Sequence, residues 1–244
     1  MTTTNDQDES ISEHIKKAFS LKEDTASNEE IRSRLLDGGK ITGTNMRVLV
    51  CAMVIASVGL NMSSTAVIIG AMLISPLMGS ILASAYASVT NDRPLLGKHL
   101  TGFAMQIIIS VTAAAIFFFL SPVKEPTVEL LARTSPSFYD VLIAFFGGLA
   151  GIIGQTRSDK VSTVIPGVAI ATALMPPLCT CGYSIANGRW DMLLGAGYLF
   201  LINCYFIFLS SSLILSALKI PKLKEYTEKE WKIHKWRMSY GILF

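Results

Sequence analysis

The sequence predicts an all-α integral membrane protein: six transmembrane helices in an inverted three-plus-three repeat, with Gly/Pro-interrupted helices 2 and 5. Three observations carry this expectation: where the charges lie, how long the uncharged windows are, and how the second window resembles the fifth. Hydrophobic residues make up 51% of the 244 positions and charged residues only 16%, whereas a soluble domain carries about a quarter charged residues. Of the 39 charged residues, 25 fall in residues 1–45 and 219–244, leaving 14 in the 173 positions between. That excludes an ordinary water-soluble enzyme. It also divides the chain into a polar segment 1–45, a transmembrane domain 46–218 (repeat halves 46–121 and 139–218) and a basic, Trp-containing segment 219–244.

A helix needs on the order of 20 residues to cross the roughly 30 Å hydrocarbon core. Between Arg47 and Asp92 lie 44 uncharged residues, enough for two helices, at 47–61 and 64–88, around a polar turn at Asn61–Ser64. The 25 between Lys98 and Lys124 give a third helix at 100–121. The 16 between Asp140 and Arg157 give a fourth that is short or keeps a charge at its edge. The 28 between Lys160 and Arg189 and the 27 between Asp191 and Lys219 give the fifth and sixth.

With both termini cytoplasmic, 18 Lys and Arg residues lie inside and only Lys124, Arg133 and Arg189 outside, as the positive-inside rule requires. The expected location is a bacterial-type inner (plasma) membrane, and the net charge of +3 is a topological signal with a weaker reading as anionic-lipid contact. No nucleic-acid partner is expected. The first 45 residues do not resemble a cleavable signal peptide, so the first span is expected to act as an uncleaved anchor.

Ser10–Glu13 and Ser27–Glu30 have capping-box spacing. The first precedes an apolar face of Ile11, Ile15, Ala18 and Phe19; the second precedes Ile31 and Leu35 and stops at Gly38-Gly39. Short amphipathic helices and a loosely ordered tail are both open readings. Lys222–Arg237, with Trp231 and Trp236, suits an interfacial anchor. Cys51, Cys179, Cys181 and Cys204 all fall in spans and read as packing residues; no metal site or cofactor is expected.

The second span starts Ser64-Thr65, reaches Gly70, and carries Ser75-Pro76-Leu77; the fifth starts Ser162-Thr163, reaches Gly167, and carries Thr172 and Pro176-Pro177-Leu178. In this register the match needs small gaps. Each is the middle helix of three, and an odd number of crossings makes the second half enter the membrane the opposite way. Interrupted helices at matching positions of inverted halves point to a transporter's binding site, because proline frees carbonyls that need a partner in hydrocarbon. A purely structural kink is the competing account.

The substrate-binding candidates are Asn61, Ser63, Ser64, Thr65, Ser75, Pro76, Ser162, Thr163, Thr172, Pro176, Pro177 and Thr180. The hydroxyls at the two helix starts would favour an anion, with plain N-capping as the alternative. Further polar candidates are Gln106 with Ser110 one turn on, Asn203 and Ser210–Ser212. No ionisable side chain lies well inside a span, so a proton-relay carboxylate is absent. No nucleophile–base pair or phosphate loop is legible, and an enzyme is not expected. Gly147, Gly148, Gly151 and Gly154 predict close helix contact, within a protomer or between protomers of a homo-oligomer.

Thr65–Met78 (TAVIIGAMLISPLM) and Pro166–Thr180 (PGVAIATALMPPLCT) resemble the two signature segments of the bacterial and archaeal membrane family known as domain of unknown function 389. The resemblance covers residues 46–218. It implies an integral membrane protein of multiple spans and names no substrate; the longer soluble extension of some relatives is not implied for the short segment here. The functional expectation is therefore a transporter or channel for a small solute or ion, with an anion the class favoured by the two helix starts and membrane lipid as a partner of the protein. The alternative is a non-transporting scaffold or sensor with a cytoplasmic partner.

Overall fold

The Ser27 signal becomes a helix. In the computed structural model, which describes residues 25–158 and 174–222, α1 runs Asn28–Gly38 and the Ser27 hydroxyl accepts from the Glu30 N–H at 3.3 Å. The expected helix after Ser10, the segment beyond Lys222, and the candidates Ser162, Thr163 and Thr172 lie outside the described residues. α1 buries Ile31 and Leu35 and packs on α4 (Leu77–Val89). Near its end, Lys40 beside Asp37 holds that carboxyl below the usual carboxylate range. This exposed pairing contributes above that range and is lost as pH falls through the lowered value.

α2 (Gly43–Asn61) starts where Thr42 accepts from the Asn45 N–H at 3.2 Å, and the expected turn at 62–64 follows. The second span is two helices, α3 (Thr65–Ile74) and α4, bent by 45°. Proline is the cause. Pro76 has no N–H to continue the ladder, and it holds Ser75 in an extended conformation, φ −74° and ψ 129°.

α5 (Arg93–Leu120) starts seven residues before the expected position of 100. Asp92 accepts from the Leu95 N–H at 3.1 Å and Pro94 occupies the first turn, both strong start signals. Asp92→Ala is expected to cost about 1 kcal/mol, read as faster hydrogen exchange confined to the first turn of α5. After α6 (Val128–Leu131), the short window yields a 19-residue helix, α7 (Phe138–Thr156). Its length is gained by taking Asp140 inside: this carboxylate accepts from the Ser137 N–H at 2.7 Å in a capping box. α8 (Met175–Asn187) and α9 (Trp190–Ala217) complete the described chain.

Among the described residues there is no strand, only a single bridge between Thr25 and Arg157. Among the described residues four helices, α2, α5, α7 and α9, are long and apolar enough to cross a membrane, or five if the bent pair α3–α4 counts as one span. α5 packs against α2, α4 and α8, while α9 packs against α4, α7 and α8. The outer sides of the two long helices expose Met105, Ile108, Ile116 and Phe119, and Leu194, Tyr198, Leu201 and Leu213, surfaces that suit hydrocarbon. The glycine face of α7 is used within the chain: Gly148 lies against Ile207 and Ser210 of α9.

Candidate functional site

The two short helices that follow the prolines converge on one stretch of α5. Pro76 is the N-cap of α4, and Pro176 and Pro177 lie in the first turn of α8. From α4, the Ser80 hydroxyl donates to Gln106 Oε1 at 2.8 Å. From α8, Gly182 lies against Ala114, and the Tyr183 ring meets Phe118 edge-on at 5.2 Å. Deeper in α8, Cys179 Sγ approaches the Met53 carbonyl at 3.9 Å, while Asn61 at the far end of α2 donates to Ser121 at 2.7 Å. α8 therefore runs alongside α5 in the same direction, its start nearest the middle of α5. α4 runs the other way, since its end leads into Arg93. The interval from Gln106 to Ala114 is about 12 Å of helix. Ser110 stands at its centre, on the buried stripe that also carries Gln106, Ala114 and Phe118.

This stretch holds polar groups without partners. Gln106 and Ser110 are each 0% exposed, yet Gln106 Nε2 and Ser110 Oγ make no hydrogen bond. Neighbouring hydroxyls are committed to their own helices. Ser84 donates to the Ser80 carbonyl at 2.8 Å, Thr180 to the Pro176 carbonyl at 2.9 Å, and Ser184 to the Thr180 carbonyl at 2.7 Å. A buried group without a partner costs about 1–3 kcal/mol, and such groups call for a specific explanation.

Of the residues singled out in sequence, Ser75 and Pro76 lie at the start of α4, and Pro176, Pro177 and Thr180 lie in the first half of α8; both helices pack on α5. Asn61, Ser63, Ser64 and Thr65 lie at the opposite end of α3, ten residues or about 15 Å away. There Ser64 makes no capping bond, Ser63 takes a positive φ of 50°, and Thr65 donates to Glu129 at 3.1 Å. Ser80 was not among the candidates. Its only sequence signal is its place one turn after Pro76, which does not say that it faces Gln106.

The segments flanking the site are alike. α4 and α8 each have 13 residues, and each leads through a tight turn into a 28-residue helix. Both turns pivot on a left-handed residue, Asn91 (φ 63°) and Gly188 (φ 69°), 97 positions apart. Their bonds match one for one. Asn91 donates to the Ser88 carbonyl and Asp92 to that of Ala87; Gly188 donates to Ile185 and Arg189 to Ser184. Phe103 and Phe200, also 97 apart, stack with ring centroids 6.1 Å apart and planes at 23°.

The family described as domain of unknown function DUF389 matches residues 72–209, from the end of α3 through most of α9. The chain belongs to this family. The matched DUF389 region contains every described helix that lines the site. The chain is also 28% identical over 202 residues to an uncharacterized protein of Methanocaldococcus jannaschii, an alignment covering 83% of this chain. The chain spans 62% of that relative's length. No solved structure matches.

Proposed function

We propose that this protein is a multi-pass transporter or channel for a small solute, built from two three-helix halves inserted in opposite directions. The observation that carries the reading is that α4, which starts at Pro76, and α8, which carries Pro176 and Pro177 in its first turn, both pack on α5, at Gln106 and at Ala114. Half-helices meeting near the middle of a bundle are how transporters expose backbone ends to a solute.

The repeat follows the turns rather than the prolines. At a constant separation of 97, with no gaps, Thr65 corresponds to Ser162, Gly70 to Gly167, Leu77-Met78 to Leu174-Met175, Tyr86 to Tyr183, Phe103 to Phe200 and Gln106 to Asn203. In this register the three spans of the first half are α2, α3–α4 and α5. Those of the second are α7, the expected fifth span, of which only α8 lies within the described residues, and α9, which makes six. The Phe103–Phe200 stack then lies on the axis relating the halves, a position where each half can rock against the other.

Proteoliposomes loaded with this protein are expected to pass one class of small solute, among halide salts, alkali cations and neutral polyols, faster than protein-free vesicles. Pro76→Ala, which lets the α3–α4 ladder continue, is expected to lower that flux. Absence of flux for every class, with a soluble protein copurifying instead, would favour a scaffold. Topology has its own check in cells. With both termini inside an inner membrane, Ser63→Cys reacts with an impermeant maleimide added outside, whereas Lys222→Cys reacts only after permeabilisation.

A further inference from the structure

We propose that the middle of α5 holds a small monovalent anion, bound by the Gln106 amide N–H groups and the Ser110 hydroxyl beside the N-terminal end of α4. The inference rests on the solute site described above and adds the chemical class of its occupant.

What is left unused there is donor capacity. Gln106 Oε1 already accepts from Ser80 at 2.8 Å, so the amide's remaining groups are the two N–H donors on Nε2, which have no partner. Ser110 lies four residues on, on the same face, and its hydroxyl is also unpartnered. Both side chains are 0% exposed, so bulk water does not satisfy them.

The surroundings have the same preference. The first turn of α4, whose Ser80 touches Gln106, turns backbone N–H groups toward this stretch, although the carbonyl end of α3 two residues before it offsets part of that helix's dipole. Neither α4 nor α5 between His99 and Leu120 contains an Asp or Glu. A cation would meet amide and hydroxyl donors and no carboxylate. An anion meets donors.

The test uses bromide on the full-length protein in detergent. Titration with sodium bromide, against sodium gluconate at constant ionic strength, is expected to raise the unfolding midpoint saturably. Crystals grown in bromide should show an anomalous peak between Gln106 and Ser110. Ser110→Ala is expected to weaken the apparent bromide affinity about tenfold, the loss of one hydrogen bond to a charged group. Gln106→Glu, which keeps an acceptor for Ser80 but adds a negative charge, is expected to abolish the bromide effect. Thr112→Ala, on the exposed side of the same helix, should leave it unchanged.

A midpoint indifferent to bromide, or a bromide affinity equal to wild type in both site variants, overturns the proposal. The readout separates it from the transport reading. Saturable bromide binding without flux in vesicles leaves the site standing and removes the transporter; flux that persists without bromide binding removes the site and leaves the transporter.

Discussion

Gly182→Val is expected to give the largest loss of stability of any single substitution considered for this chain. A Cβ at Gly182 would lie 2.5 Å from Ala114 Cβ, 2.8 Å from the Ala115 nitrogen and 3.0 Å from the Ala114 carbonyl carbon. Two of these neighbours are helix backbone, which cannot rotate away as a side-chain tip can. α8 must move off α5, and with it go the Phe118–Tyr183 contact and the hydrogen bond from the Tyr183 hydroxyl to the Lys124 carbonyl. In lipid there is little hydrophobic drive to restore the contact, since close packing itself holds helices together. The expected cost is about 3 kcal/mol, the upper part of the usual overpacking range, measured by unfolding in mixed micelles. Gly70→Val serves as the control. It makes the same chemical change inside a helix, but nothing lies within 4 Å of its Cβ, so only helix propensity changes, by a few tenths of a kcal/mol. Equal destabilisation by the two variants would mean that the α5–α8 contact is not as close as described.

Gly79→Val is expected to release the N-terminal segment while leaving the long helices folded. Its Cβ would collide with the Gly38 carbonyl group, so the end of α1 would lift from α4. α1 is also tied to the end of α7: Ala26 donates to the Thr156 carbonyl at 2.8 Å, and the Arg34 guanidinium donates to the Arg157 carbonyl. One short helix therefore bridges the two halves of the chain. Its release should appear as protease cleavage between Lys40 and Arg47 that the wild type resists, with the unfolding midpoint falling less than for Gly182→Val. A midpoint drop as large as that of Gly182→Val, with no new cleavage, would show that Gly79 supports the core rather than the strap.

The positions of the long apolar helices were legible because placing a charge in hydrocarbon costs several kcal/mol wherever it occurs, so uncharged windows report such helices without knowledge of neighbours. The turn at 62–64, the stop at Gly38 and the Ser27 cap were legible for a similar reason, since each depends on residues a few positions apart. The start of α5 at Arg93 rather than 100 follows from Asp92 and Pro94, which set the helix start, so that Lys98 lies within its second turn. In the proposed repeat, the register is hidden because the conspicuous residues, Pro76 and Pro176-Pro177, are not 97 positions apart. The pairs that are, Asn91 with Gly188 and Gln106 with Asn203, differ in residue type and share only backbone conformation or position.

The sequence by itself determined that this chain is helical, apolar through its middle and interrupted at Pro76 and Pro176-Pro177. Those are local properties: hydration of a side chain, and a ring that removes an N–H and restricts the residue before it. Only the tertiary structure decided that the helices following or carrying the two interruptions both pack on α5, that Ser80 bonds one end of the Gln106 amide and leaves the other without a hydrogen-bond partner, and that Asn61 and Thr65 belong to a different end of the molecule. Those outcomes depend on how closely helices approach at Gly182 and Gly79, a joint property of residues more than sixty positions apart or on separate helices, which no single stretch of sequence encodes.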